Sequence, residues 1–271
     1  MDMNGSETRA GAAVPEAARP RKPRYRVEVK RVERLTPRMV RVTFGGEELS
    51  GFTWSGPASH VKLFFESNRP GAPAAQPERP TTRTYTPRRF DPVSREIDVD
   101  FVIHGEGPAS SWAAQAAAGQ TLTLAGPGRS YSVDSAADWY VLIGDDTAVP
   151  AICTILESLP PSTRALVFVE VVDAAEEHAL DAGTESAEIR WLRRGPDARH
   201  AGRELEAAVR TLELPAGAGR VYVACEADAM RRIRRHLLVE RQLPREQLVT
   251  RGYWRLGETD HPDRDYGEDV G

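Results

Sequence analysis

The sequence has few cysteines and no long apolar run. Cys153 and Cys225 are its only cysteines, and they lie far apart in apolar surroundings. This favours buried thiols in a reducing compartment over a disulfide framework or a metal site. No run of about 18 apolar residues occurs, and the N-terminus lacks the apolar core of a signal peptide. We therefore expect a cytoplasmic protein with no membrane insertion and no bound metal.

An excess of charge of one sign is also absent. The formal net charge of the 271 residues is −4, so the whole molecule has no field that would attract nucleic acid. A composition of 40% hydrophobic and 28% charged residues is ordinary for a soluble globular protein. The length suits one large domain or two modest ones.

Arginines, an aromatic ring and hydroxyls alternate in the segment Arg83-Thr84-Tyr85-Thr86-Pro87-Arg88-Arg89. Arg83 and Arg88 offer planar forks of donors that suit the oxygens of a diphosphate. Tyr85 offers a flat apolar face to a planar ring. The competing interpretation of this segment is an arginine-rich edge strand.

Further along, the chain reads His104-Gly105-Glu106-Gly107-Pro108-Ala109-Ser110-Ser111-Trp112. This pattern predicts a strand end, a Gly-rich turn and a helix start, whose N–H groups can receive a diphosphate. His104 either bonds a flavin carbonyl or ribose, or satisfies the turn. Together the two segments predict a site for a flavin dinucleotide.

The pattern of apolar residues divides the chain. Residues 1–23 have no periodicity and predict a disordered leader, whereas residues 24–135 contain short alternating runs typical of an antiparallel barrel. Residues 136–257 alternate apolar strands with helical spacing, which predicts a parallel sheet covered by helices. The acidic tail 258–271 is broken by Pro262, so we expect no long C-terminal helix and a more open active site.

The predicted strands of the first half are 26–33, 39–44, 59–65, 83–86, 96–103 and 121–125, with a long exposed loop at 69–80. Those of the second half are 138–143, 164–172, 188–192 and 220–224, with helices at 151–159, 202–212 and 227–240.

A nucleotide site in the second half has a weaker signal, because the fingerprint Gly-x-Gly-x-x-Gly is missing there. The turn Gly144-Asp145-Asp146-Thr147 follows the first strand, where a phosphate-binding turn is expected, although a plain strand-to-helix turn uses the same residues. Glu170 and Asp173 suit ribose hydroxyls. Arg231 and Arg232 suit a 2′-phosphate or form a solvated helix face.

Several ordered segments resemble the signature of the siderophore-interacting protein family. They are Arg83–Arg88, Asp98–His104, Gly107–Ala113, Gly126-Pro127, Asp138–Tyr140, Gly144–Ala151 and Gly252–Gly257. The resemblance covers about residues 24–257. It implies two domains, an antiparallel six-stranded β-barrel that binds FAD followed by an α/β parallel-sheet domain that binds NADH or NADPH.

The resemblance also implies an activity, the reduction of ferric siderophores. Electrons from NADH or NADPH pass through FAD to Fe(III) held in a siderophore, and the flavin carries the chemistry, so no catalytic side chain is predicted. Iron then leaves because hard siderophore oxygens hold Fe(II) less well than Fe(III). Ferredoxin is an alternative electron donor, and we expect a monomer.

The resemblance assigns three groups of site residues. Those for FAD are Arg83, Thr84, Tyr85, Thr86, Arg88, Asp100, Val102, His104, Gly107, Pro108, Ala109, Ser110, Thr147, Tyr253 and Trp254. Those for the nicotinamide nucleotide are Gly144, Asp145, Thr147, Glu226 and Arg231. Those for the anionic siderophore are Lys62, Arg129 and Arg255. For the last group the alternative is ordinary surface charge, and for Tyr253 and Trp254 it is burial in the core.

Two other functions fit the same sequence. One is a flavin reductase whose acceptor is free flavin, a quinone or an iron–sulfur protein. The other is a module that binds flavin or siderophore without turnover. Flavin absorbance, its bleaching by a nicotinamide donor, and its recovery with a ferric complex distinguish these functions.

Overall fold

A computed structural model describes residues 22–65, 80–105, 107–180, 187–259, 261–262 and 265–267. Most of the predicted leader, the predicted loop at 69–80 except Pro80, and parts of the acidic tail lie outside these residues.

The first half forms one curled antiparallel sheet. Its strands are β1 (Arg24–Thr36), β2 (Met39–Gly45), β3 (Val61–Phe65), β4 (Thr81–Tyr85), β5 (Pro87–Asp91), β6 (Glu96–Val102) and β7 (Thr121–Ala125). Their order is β4-β3-β7-β1-β2-β6-β5. A short helix, α1 (Pro108–Ala114), follows β6.

The two ends of this sheet are consecutive in the chain. β4 pairs with β3, β5 pairs with β6, and only Thr86 separates β4 from β5. The sheet therefore curls until its ends meet along one bent segment. The predicted barrel is confirmed, but it has seven strands rather than six, because Pro87–Asp91, beyond the predicted strand 83–86, forms an additional strand, β5.

The barrel core follows from the alternation of β6. Ile97, Val99 and Phe101 are fully buried among the apolar side chains of the barrel. Asp98 and Asp100 point to the opposite face, where Thr43 and Arg41 of β2 bind them. Period-two alternation is the geometry of a strand with one apolar face, so the sequence determines which face of β6 is inside.

The second half forms a parallel sheet with helices. Its strands are β8 (Trp139–Asp145), β9 (Arg164–Val171), β10 (Ala187–Arg193), β11 (Gly219–Glu226) and β12 (Leu248–Trp254), in the order β10-β9-β8-β11-β12. Its helices are α2 (Val149–Leu156), α3 (Arg203–Thr211) and α4 (Ala227–Arg235). Strand β12 was not predicted. The helix predicted at 227–240 ends at Arg235 and continues as a π-helical turn, His236–Glu240.

The two sheets share a hydrophobic interface. Met39 of β2 belongs to the same buried cluster as Tyr140, Ile152 and Tyr222 of the second half, and Val102 of β6 packs against it. Thr36 also donates a hydrogen bond to Glu176 across this interface at 2.5 Å. The turn after β8, Asp146–Ala148, also contacts β6.

Within the described ranges, none of the helices has the length and apolar character needed to cross a membrane. The same residues contain no cluster of three or more His, Cys, Asp or Glu suited to a metal ion. Both cysteines are buried and neither is in a disulfide.

Candidate functional site

The strand that carries the Arg-Thr-Tyr-Thr motif borders the junction of the two sheet ends. Across the β3–β4 ladder, Arg83 faces Leu63 and Tyr85 faces Val61, whereas Thr84 faces Lys62 on the other side. Directly opposed residues of a ladder share a face. Arg83 and Tyr85 therefore point together, and Thr84 points away from them.

Tyr85 is half-buried at the rim of the barrel. Its ring lies 4.5 Å from that of Phe101, measured between centroids. Burial raises the pKa of its hydroxyl above the ordinary value. Tyr85 thus presents a neutral aromatic side chain beside Thr86, as a ring-binding residue requires.

Arg83 reaches from the barrel to the C-terminal tail. Its guanidinium donates to the carbonyl oxygens of Thr82 at 2.8 Å and Thr259 at 2.5 Å. Further along the tail, Gly252 donates its N–H to the Asp265 carbonyl, and Thr250 donates its hydroxyl to the Tyr266 carbonyl. The described part of the tail therefore packs on β12 and approaches Arg83, which corrects the expectation that this end leaves the site more open.

Two predicted FAD ligands have other partners in the structure. Arg88 is buried and donates two hydrogen bonds to the carboxylate of Glu157, at 2.6 and 3.1 Å. Asp100 accepts two hydrogen bonds from Arg41, at 2.7 and 2.9 Å. Arg41, Arg88 and Asp100 line a cavity of about 250 Å³ between the barrel and α2. The Arg88–Glu157 pair connects the barrel to α2, whereas the Asp100–Arg41 pair lies within the barrel, between β6 and β2. The predicted roles of Arg88 and Asp100 at the cofactor stay predictions.

The turn after β6 is built as its sequence predicts. The N–H of His104 donates to the hydroxyl of Ser110 at 2.8 Å, which holds the turn against the start of α1. Burial, and to a lesser extent Arg38, lowers the pKa of His104. Val102, by contrast, packs against the hydrophobic cluster of the second domain, so its side chain is used in the interface.

The start of α1 is suited to an anion. Gly107 is the N-cap and supplies no capping side chain, and Pro108 follows as the first helical residue. A methyl group placed on Gly105 or Gly107 meets no atom within 4 Å. The first N–H groups of the helix are those of Ala109 and Ser110, so they lie next to a residue without a capping side chain.

The motif at the end of β12 brings two aromatic residues to this region. The Tyr253 hydroxyl lies 3.0 Å from that of Tyr222 and also hydrogen-bonds the side chain of Thr86. The indole N–H of Trp254 donates to Asp145 at 2.8 Å. Tyr253 therefore lies beside Thr86 of the barrel motif and Trp254 binds a residue of the second domain, while their roles at the cofactor stay predictions.

The turn after β8 forms internal bonds. Asp145 accepts the N–H of Thr147 at 3.0 Å, its hydroxyl at 2.5 Å, and the N–H of Glu226 at 3.0 Å. Burial raises the pKa of Asp145. A side chain on Gly144 would come within 2.5 Å of Ala148, so this glycine permits close packing. Asp145 and Thr147 are therefore bonded within the protein, and the predicted nucleotide roles of Gly144, Asp145 and Thr147 stay predictions.

The other predicted nucleotide ligands are also engaged within the protein. Glu226 caps α4 by accepting the N–H of Ala229 at 2.9 Å. Arg231 forms an ion pair with Asp265 of the tail at 2.8 Å. Arg232, the second candidate for a 2′-phosphate, pairs with Glu206 at 2.7 Å.

Glu170 does not lie where a ribose can reach it. It is fully buried and accepts the N–H groups of Gly202 at 2.7 Å and Glu204 at 3.0 Å, at the start of α3. Burial raises its pKa to about 7. Asp173 accepts the N–H of Ala175 and remains exposed. The structure therefore leaves only Asp173 of this pair accessible.

The three predicted siderophore ligands lie on different elements. Lys62 is on the outer face of β3, and Arg129 follows Gly128, whose N–H donates to the His60 carbonyl near the start of the same strand. Arg255 lies beyond β12 and pairs with Asp228 at 3.2 Å. The structure thus brings Lys62 and Arg129 to one end of the barrel and places Arg255 on the other domain.

Three residues at the site were not predicted. Arg41 and Glu157 bind Asp100 and Arg88, and Tyr222 binds Tyr253. Each lies far in sequence from its partner, and no local motif marks it. For Tyr222 the one available signal was a hydroxyl in an otherwise apolar strand.

Comparison with known proteins gives a consistent result. Residues 28–131 match the family model of the siderophore-interacting FAD-binding domain, and residues 137–257 match that of the siderophore-interacting protein. The ferric vibriobactin reductase ViuB of Vibrio cholerae is 36% identical over 83% of this chain and 87% of its own length.

Two further relatives have similar coverage. The NADPH-dependent ferric-chelate reductase of Escherichia coli K12 is 32% identical over 83% of this chain and 91% of its own length. The crystal structure of a siderophore utilization protein from T. fusca superposes with a TM-score of 0.80 at 40% identity, over 89% of this chain and 96% of that chain.

Proposed function

This chain belongs to the siderophore-interacting protein family, and we propose that it is an FAD-dependent reductase that uses NAD(P)H to reduce Fe(III) in ferric siderophores and release Fe(II). One observation carries the proposal. Tyr85 of the barrel and Trp112 of α1 both pack against Phe101, and Tyr253 of the second domain lies beside Thr86, the residue after Tyr85. That arrangement suits a planar ring bound to a diphosphate.

FAD, when bound, accepts a hydride and passes its electrons on singly, and the chain's own residues position it. Arg83 and the first N–H groups of α1 hold the diphosphate, the former by charge-assisted bonds and the latter as a helix N-terminus. Tyr85 and Tyr253 exclude water from the ring. Thr86 supplies a hydroxyl between them.

Positive charge on the protein binds the ferric siderophore, and reduction of the iron then releases it from the siderophore. Lys62, Arg129 and Arg255 supply positive charge for an anionic ferric complex. Because Arg255 already pairs with Asp228 and Glu258, it has to exchange these partners to bind substrate. Reduction then weakens the hold of hard oxygen ligands on the metal.

The hydride donor is a nicotinamide nucleotide, which binds at the C-terminal ends of β8 and β11. The E. coli relative is named as NADPH-dependent, which favours NADPH over NADH. Ferredoxin is an alternative electron donor. We further propose that the protein acts as a monomer in the cytoplasm, where two buried thiols outside any disulfide are stable.

The test is spectroscopic. Purified protein loaded with FAD should be yellow, should bleach on addition of NADPH or NADH under argon, and should regain its colour with a ferric catecholate or hydroxamate. Recovery with free flavin or a quinone alone would assign the protein to the flavin reductases with other acceptors. Failure of either donor to bleach the flavin would leave a binding module, and failure to take up FAD would contradict the whole proposal.

A further inference from the structure

The described part of the C-terminal tail holds the guanidinium of Arg83. Nη2 of Arg83 donates to the carbonyl oxygen of Thr259 at 2.5 Å, while Nη1 donates to that of Thr82 at 2.8 Å. Thr82 belongs to β4 itself, whereas Thr259 lies 176 residues further along the chain than Arg83. A long and flexible side chain is thus oriented by two carbonyls, and the position of one of them depends on how the tail folds.

The imidazole of His261 lies between two carboxylates of the tail. Its Nε2 is 2.8 Å from Asp265 and its Nδ1 is 3.2 Å from Glu258, and the side chain is only 6% exposed. A neutral imidazole carries one N–H, so both bonds together require the protonated ring. Glu258 and His261 flank Thr259 in the sequence. Their bond therefore restrains the piece of backbone that carries the Thr259 carbonyl.

Asp265 attaches this part of the tail to the second domain. Its buried carboxylate pairs with Arg231 of α4 at 2.8 Å, and its carbonyl accepts the N–H of Gly252 of β12 at 2.8 Å. A methyl group on Gly252 would come within 2.6 Å of that carboxylate, so the glycine permits the close approach. The tail is therefore bound to α4 and β12, and the two bonds of His261 extend this attachment to the backbone around Thr259.

The proposed function, on which this inference rests, requires Arg83 to bind a diphosphate. An arginine side chain loses rotamer freedom when it binds, and a guanidinium that is already oriented loses less. A guanidinium has five N–H donors, so bonds to two carbonyls are compatible with further bonds to a phosphate. Carbonyl oxygens carry no formal charge, so they orient the group without competing with the phosphate as a carboxylate would.

We propose that His261 is a positioning residue of the FAD site. By bonding both Glu258 and Asp265 it fixes the carbonyl of Thr259, and this carbonyl orients the guanidinium of Arg83 for the diphosphate before FAD binds. His261 itself does not touch the cofactor. The tail therefore contributes to FAD affinity through Arg83 and not through contacts of its own side chains.

The first test is a double-mutant cycle measured as FAD affinity, by quenching of flavin fluorescence. His261→Gln should weaken FAD binding about two- to tenfold, which is the cost of ordering one long side chain on binding. In the Arg83→Ala background the same substitution should change the affinity no further, because the group that it orients is gone. Equal fold losses in both backgrounds would overturn the proposal, since His261 would then act without Arg83. Unchanged affinity in His261→Gln would overturn it as well.

Two substitutions are controls for this cycle. Thr259→Ala removes an exposed side chain but keeps the carbonyl, so FAD affinity should stay that of the wild type. A loss equal to that in His261→Gln would contradict the role of the carbonyl. His200→Gln makes the same chemical change at an exposed histidine and should also leave the affinity unchanged. If His261→Gln does not fold, Glu258→Ala replaces it with the same expectation, because Glu258 is exposed and its carboxylate faces Nδ1 of the ring.

The second test uses the FAD-free protein and separates this inference from the proposed function. In protein labelled with ¹⁵N-arginine, the side-chain N–H signal of Arg83 is identified by its loss in Arg83→Ala. Its exchange with solvent should be slow in the wild type and in His200→Gln, and several times faster in His261→Gln.

The outcomes of this second test distinguish the two proposals. Equal exchange of the Arg83 signal in the wild type and in His261→Gln would overturn the positioning role of His261, even if FAD binds and the proposed function stands. If the wild type does not take up FAD, the proposed function fails, and the exchange experiment still decides whether His261 holds Arg83.

Discussion

The helix starts of the two domains differ in how their N–H groups are used. In the barrel, α1 begins at Gly107, which has no side chain, and the space beside it is open. In the second domain, the carboxylate of Glu170 occupies the start of α3 and that of Glu226 the start of α4. Asp145 binds the turn after β8 in the same way.

This difference shows where a phosphate can bind without displacing a protein group. A helix N-terminus attracts one anion, and an internal carboxylate satisfies the same N–H groups as a phosphate would. The start of α1 in the barrel therefore carries no internal carboxylate, which supports its proposed role at the FAD diphosphate. The described turns of the second domain are closed, consistent with a nucleotide that binds briefly and leaves.

The largest expected effect on stability comes from a substitution at Gly202, the N-cap residue of α3. Its φ is +79°, and a methyl group there would lie 2.0 Å from the Cβ of Ala229. Gly202→Ala should lower the free energy of unfolding by roughly 2–5 kcal/mol, through backbone strain and overpacking. Urea unfolding measures it. Gly195→Ala is the control, because its φ of +75° is similar but its Cβ meets nothing within 4 Å. Equal losses of unfolding free energy in both variants would show that overpacking against Ala229 does not contribute.

The next largest effect is expected on FAD binding, when the proposed diphosphate ligand of the barrel is removed by Arg83→Ala. One fork of charge-assisted bonds to the diphosphate is lost, at roughly 1.5–3 kcal/mol for each bond. FAD affinity, measured by quenching of flavin fluorescence, should fall about 10- to 150-fold. Arg34 is an exposed residue near the end of β1, so Arg34→Ala should leave FAD affinity unchanged. Stoichiometric FAD in purified Arg83→Ala would contradict the role of Arg83.

The carboxylate that closes α3 should make stability depend on pH. Burial raises the pKa of Glu170 from its ordinary value of 4.5 to about 7, so the folded protein binds its proton more tightly than the unfolded chain does. The stability it contributes is full below pH 4.5 and is lost as pH rises toward 7. The wild type should lose up to about 1.4 kcal/mol for each pH unit in this window relative to Glu170→Gln.

Denaturant unfolding at pH 5, 6, 7 and 8 measures this slope. The comparison uses the difference between the two pH profiles, because the amide introduced by Glu170→Gln changes the level of stability as well. Parallel profiles would show that Glu170 does not titrate in this range.

The smallest effect is expected when α1 is given a capping carboxylate, like those at the starts of α3 and α4. Gly107→Asp places a capping carboxylate at the start of α1, which should stabilise the FAD-free protein by only about 0.3 kcal/mol, because glycine is itself a fair N-cap residue. The same carboxylate should weaken FAD binding several-fold, because it competes with the diphosphate for the N–H groups. Gly107→Ala adds no acceptor and should leave FAD affinity unchanged. Unchanged FAD affinity in Gly107→Asp would place the diphosphate elsewhere.

Much of the fold was predictable from local pattern. The alternation of β6 and the apolar run of β8 identified an antiparallel half and a parallel half, because the period of burial follows from backbone geometry. Strand β12 was not predicted, because Arg251 and Gly252 interrupt its apolar pattern. Strand β5 was not predicted either, because its separation from β4 depends on different pairing partners, β3 for β4 and β6 for β5, which the local sequence does not contain.

The candidate site was predictable in part. Tyr85 and Thr86 lie at the end of β4 and Gly107 at the start of α1, and their roles toward a flavin stay predictions. Arg88 and Asp100 carry the right chemistry but have partners from distant segments, Glu157 and Arg41. A charge is identifiable from sequence, but its counter-ion depends on which elements pack together.

The sequence by itself determined the two architectures, the flavin motif and the family, because each depends on residue types at short spacing. Only the tertiary structure decided which polar groups remain available to ligands. It left the start of α1 open, closed the starts of α3 and α4 with Glu170 and Glu226, and aligned the hydroxyls of Tyr253 and Tyr222. The physical reason is that a buried polar group has to find a partner, and that partner comes from whichever distant segment folding places beside it.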